Sequence, residues 1–147
     1  MSSLRNEKTR NGLIQRLHAL TPETRPQWGK LDAPRLLCHL GDSLAMALGD
    51  LPTQSVNRRA FQHFPMKHLI LYVLPFPKNV PTVPELLSSA PGDFERDRQR
   101  VIDSIGRLAS APQGMGAEHP FFGPLTSAEW SALQCKHLSH HLQQFGL

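Results

Sequence analysis

Only two cysteines, Cys38 and Cys135, occur in 147 residues, and they form no CxxC pair. Two isolated thiols build no disulfide framework and suit a reducing compartment, so the expected location is cytoplasmic. Aromatic residues make up 7% of the chain, which argues against an extended binding platform. Long apolar runs are missing too. The longest, HLILYVLPF at 68–76, is roughly half of what a bilayer-spanning helix needs and is closed by Pro75 and Pro77. The opening MSSLRNEKTRNGLIQRL is too polar for a secretory signal. No partner membrane is therefore expected. Nor is there a concentrated charge. Sixteen Lys and Arg against twelve Asp and Glu leave +4, with the basic residues scattered (Arg5, Lys8, Arg10, Arg58, Arg59, Arg96, Arg98, Arg100). Without a basic stripe, no nucleic-acid partner is expected. Internal repeats and the strict alternation of half-buried strands are absent as well.

What remains is helical patterning in a chain long enough for one domain with a real core, so residues 1–147 are read as a single domain. Leu13, Ile14, Leu17 and Leu20 recur at helical spacing, and Thr21-Pro22 with Pro26 ends them, predicting a helix over about 5–20. Asp32 is a plausible N-cap with Pro34 in the first turn; Leu36, Leu37, Leu40, Leu44, Ala47 and Leu48 form a stripe that Gly49 can close. A short apolar helix follows at 66–74 in the proline-rich stretch 50–91. Asp93 caps a helix carrying Phe94, Val101, Ile102, Ile105 and Leu108. Thr126 and Glu129 make a capping box for a last helix reaching about Phe145. Four main amphipathic helices predict an all-α four-helix bundle, with 50–91 as a long irregular crossing connection between the second and third.

The last helix also holds the densest group of histidines. Trp130, Leu133, Leu138, Leu142 and Phe145 define its buried side, and His137 and His141 fall near the middle of that side, with His140 at its edge. Imidazoles at i and i+4 can reach one cation. His39, beside the apolar stripe of the second helix, offers a third. Burying three neutral imidazoles leaves six ring nitrogens in need of partners, and a divalent cation satisfies three of them at once. Asp42, one turn beyond His39, is a candidate to orient an imidazole, while His119, before Pro120-Phe121-Phe122, is either at the pocket mouth or a loop anchor. Cys38 and Cys135 point away from the histidines on their helices and read as small buried hydrophobes. The walls of the pocket are expected from 50–91 and the 112–125 loop.

DAPRLLCHLGDSL at 32–44 and HLSHHLQQ at 137–144 together resemble the DinB/YfiT-like superfamily, and WGKL at 28–31, PFPKNVPTVPEL at 75–86 and HPFFGPLTSAEW at 119–130 resemble an uncharacterised bacterial branch of it. The resemblance runs from about residue 10 to the end. It implies a DinB/YfiT-like four-helix bundle, association as a homodimer, and a three-histidine metal site that falls on His39, His137 and His141. Gln144 keeps the amide of the Arg-Gly-Gln sequence that often follows the last ligand in that superfamily, whereas Leu142 stands where its basic residue would be. A divalent ion on three neutral imidazoles keeps its charge and an open position, favouring catalysis over a purely structural role. It would lower the pKa of a bound water or thiol, so a hydrolase or a thiol transferase acting on a small molecule is expected. Zinc leads by ligand type, and nickel, iron and copper also accept imidazole. The competing reading is a non-catalytic metal-binding or structural bundle.

Overall fold

A computed structural model of the chain describes residues 2–54, 61–78, 84–87 and 89–147. Helix α1 (Glu7–Ala19) starts where the Asn6 side chain accepts the Thr9 N–H, and buries Leu13 and Leu17. Helix α2 (Ala33–Leu48) is capped by Asp32, which accepts the Arg35 N–H at 2.9 Å, and ends at Gly49 in the left-handed region, φ 79°. That conformation suits glycine, which has no Cβ to clash. Most of α2 is buried, including His39 and Asp42, because it lies against α4 on one flank and meets α5 and the sheet on others. The expected short apolar helix is a single α turn, α3 (Met66–His68), continuing into a wider π turn over Leu69–Val73. A 3-10 turn follows at Pro84–Leu87. Helix α4 (Phe94–Ala109) is capped by Asp93 and buries Val101, Ile105 and Leu108. The predicted capping box opens α5 (Ser127–Gln144): Glu129 N–H donates to Thr126 Oγ1 at 3.1 Å, and Thr126 N–H to Glu129 Oε2 at 2.8 Å.

The expected all-α four-helix bundle of DinB/YfiT-like type is wrong. Five helices are joined, among the described residues, by an antiparallel hairpin of β1 (Met115–His119) and β2 (Gly123–Thr126). The hairpin leaves little alternation in the sequence, for physical reasons. Its strands have five and four residues, the register slips between Met115 and Glu118, and most of β1 faces solvent. β2 alternates only over its four residues, with Gly123 and Leu125 buried, and side-chain hydrogen bonds help fix the hairpin. The Trp130 indole donates to Ala117 O at 2.7 Å, and His119 Nδ1 accepts the N–H groups of Phe121 and Phe122 at 3.1 and 3.3 Å. Gly116 lies so close to Trp130 that a Cβ there would stand 2.8 Å from its Cδ1.

The connection between α2 and α4 carries α3, the π turn and the 3-10 turn; the rest of that expectation, at 55–60, 79–83 and 88, lies outside the described residues. One core gathers Leu13 and Leu17 of α1, Leu36, Leu40 and Leu44 of α2, Ile105 of α4 and Trp130, Leu138 and Leu142 of α5. No described helix is long and apolar enough to cross a membrane.

Candidate metal centre

The α2–α5 packing brings His39 against His137 and His141. Their rings stand 4.9 and 4.7 Å from that of His39 and 4.7 Å from each other, all edge to face. His39 Nε2 is 3.1 Å from both His137 Nε2 and His141 Nε2. For comparison, nitrogens about 2.0–2.1 Å from a tetrahedral zinc lie roughly 3.3 Å apart. The three side chains can hold a divalent metal ion, and they are the one such group of His, Cys, Asp and Glu among the described residues.

The nitrogens facing away from the cluster determine the protonation of those facing in. His39 Nδ1 meets the Leu86 carbonyl at 3.3 Å, and since a carbonyl only accepts, Nδ1 carries the proton and Nε2 is bare. His141 Nδ1 meets Gln144 Oε1 at 2.8 Å. The amide cannot be reversed, because Gln144 Nε2 donates to Trp28 O at 2.8 Å, so His141 Nδ1 also donates and its Nε2 is bare. His137 Nδ1 lies 3.3 Å from Ser43 Oγ, which accepts from Gln134 Nε2 at 2.9 Å and lies 3.2 Å from Gln134 Oε1, a contact that suits either imidazole tautomer. Two bare Nε2 atoms, those of His39 and His141, therefore face each other at 3.1 Å, with His137 Nε2 equally close to His39. Such an arrangement is repulsive unless an electrophile is shared among them.

Burial keeps the imidazoles neutral, as ligation requires. Desolvation lowers the His39 pKa, with the Leu86 carbonyl and the Asp42 charge pulling the other way. His137 falls well below the ordinary histidine range, first through burial and then through His141 and His39. His141 is lowered to about 4 by burial and His39, partly offset by Gln144.

The remaining sequence candidates separate. Gln144 orients His141. His140 faces outward onto Trp28 and Phe76, with ring centroids at 6.1 and 5.9 Å, as its position at the stripe edge suggested. His119 is the hairpin anchor and packs on Phe122 and Trp130; burial pushes its pKa down to about 3. Asp42 does not orient an imidazole: its Oδ1 accepts from Ser89 Oγ at 2.6 Å and Arg100 Nη2 at 3.2 Å, and it reaches His39 only through its field. Both cysteines are buried, and burial raises their thiol pKa values, that of Cys135 to about 11. Ser43 and Gln134 were missed. Ser43 is four residues beyond His39 and Gln134 three before His137, so the one-turn spacing that selected Asp42 would have found both.

A cavity of about 310 Å³ opens beside His39, lined by Leu31, Arg35, Cys38, Leu86 and Ser89. The expected wall from the 112–125 loop is absent from it, since the hairpin packs over Trp130 instead.

Residues 3–146 match the family described as protein of unknown function (DUF1569). No curated protein and no solved structure matches the chain. With almost its full length covered by that match, the chain belongs to the DUF1569 family.

Proposed function

We propose that the protein is a metal-dependent enzyme, a hydrolase or thiol transferase, that uses His39, His137 and His141 to hold one divalent ion and acts on a small molecule. The observation that carries this reading is the convergence of the three Nε2 atoms, two of them bare because the Nδ1 protons of His39 and His141 are committed to Leu86 O and Gln144 Oε1. An all-imidazole shell brings no negative charge, so a divalent ion in it retains full Lewis acidity toward a substrate oxygen or sulfur. The protein's own contribution is positional: α2 and α5 set the imidazoles, Gln144 and Ser43 fix two of them, and the cavity beside His39 admits a small substrate. Zinc suits the ligand type best, ahead of nickel, iron and copper. A relation to the DinB/YfiT-like superfamily belongs to the same reading, supported by ligands on the second main and last helices.

Turnover of an activated ester and consumption of a thiol by an electrophile, each measured before and after chelation and after reloading with zinc or nickel, test it. Metal-dependent turnover that disappears in His141→Ala is the expected result. Rates indifferent to chelation would overturn it. The reading includes association as a homodimer, supported by the exposed apolar side chains of Phe64, Met66 and Leu69. Sedimentation at twice the 16.5 kDa chain mass is expected, and a clean monomer contradicts it.

A further inference from the structure

A second concavity, of about 1040 Å³, runs between α1, the 71–78 segment and the outer face of α5. Four basic side chains, Lys8, Arg16, Lys78 and Lys136, line it, and no Asp or Glu does. None of the four has an Asp or Glu partner among the described residues, although five other basic residues do. Two of these cations rest on aromatic faces. Lys78 Nζ is 4.1 Å from the centre of a Trp28 ring and Lys136 Nζ, which also donates to Ile70 O, 4.9 Å from that of Phe76. Arg16 donates to Ser139 O and to an oxygen of Leu147, the last residue of the structure, at 2.7 Å. Between the cations the walls are apolar: Val73 and Leu74 stand 62% and 44% exposed there.

The floor adds an independent observation. Gly12 lies inside α1, where glycine is unfavourable, yet a Cβ built on it meets no atom within 4 Å. Nothing in the packing requires a glycine. The space it leaves is continuous with the groove.

From the lysines without an Asp or Glu partner, the aromatic and aliphatic walls and the open floor, we propose that this groove binds an organic anion with an apolar body, a carboxylate on an alkyl chain or ring. The lysines meet the carboxylate, while Trp28, Phe76, Val73 and Leu74 cover the apolar part. The metal ligands do not line the groove, so the proposal stands or falls apart from the metal reading.

Isothermal titration of the full-length protein with decanoate, and with decyltrimethylammonium as its cationic counterpart, tests the groove. Saturable one-to-one binding of decanoate, at least tenfold tighter than the cation, is expected. Lys8→Gln combined with Lys78→Gln should weaken decanoate about tenfold. Gly12→Leu should abolish binding while circular dichroism is unchanged, and Gly12→Ala should raise Tm. Decanoate affinity should be the same with a chelator present. Equal affinity for the two amphiphiles would reduce the effect to apolar adsorption and overturn the proposal. So would loss of binding on chelation, which would place the carboxylate on the metal, or full binding by Gly12→Leu, which would place it elsewhere.

Discussion

Gln144 does two jobs with one amide: its nitrogen is fixed by the Trp28 carbonyl and its oxygen fixes His141. Gln144→Leu keeps the size of the side chain and removes both, so metal affinity should fall by about 10- to 100-fold, read by competition with a chromophoric chelator. Unchanged affinity would mean that packing alone orients the ring. His119 makes a different prediction, about stability. Its pKa is lowered from 6.5 to about 3 in the fold by burial, so the unfolded chain takes up a proton near pH 6.5 and the folded chain does not. The stability it supports is present above pH 6.5 and lost as the pH falls toward 3, at up to about 1.4 kcal/mol per pH unit. Thermal melts of chelated protein between pH 7 and 4 should show a shallower decline in His119→Asn than in wild type. Parallel declines would assign the acid sensitivity to other groups.

Among the elements, those with strong local signals were legible in advance. Asp32, Asp93 and the Thr126–Glu129 pair each hold the cap their residue types predict, and α1, α2, α4 and α5 follow within a residue or two. The hairpin was not legible, because its reasons are tertiary: Gly116 is there for the Trp130 ring, which meets β1 only once α5 packs against the hairpin. The candidate site divides along the same line. Helical phase selected His39, His137 and His141, but the partners of their outer nitrogens include the Leu86 carbonyl, which no side-chain pattern reports. Gly116→Ala tests the hairpin's dependence on close approach. The added methyl would stand 2.8 Å from Trp130 Cδ1 and 3.2 Å from Leu125 O, and the overpacking should cost about 1–3 kcal/mol in urea unfolding. A neutral effect would show that the hairpin moves freely over the indole.

At the scale of the whole molecule, a site shared by α2 and α5 couples metal binding to folding, because the imidazoles meet only when the two helices pack. Metal at a hundredfold excess over its Kd should raise stability by about 2.7 kcal/mol, visible as a higher Tm that chelation reverses. The most direct measurement is elemental analysis of protein purified without a metal-affinity tag, for wild type, His137→Ala and His140→Ala. The account predicts one divalent transition metal per chain in wild type and in His140→Ala, and its loss in His137→Ala. Retention in His137→Ala, or the absence of metal from wild type even after incubation with zinc and nickel, would contradict it.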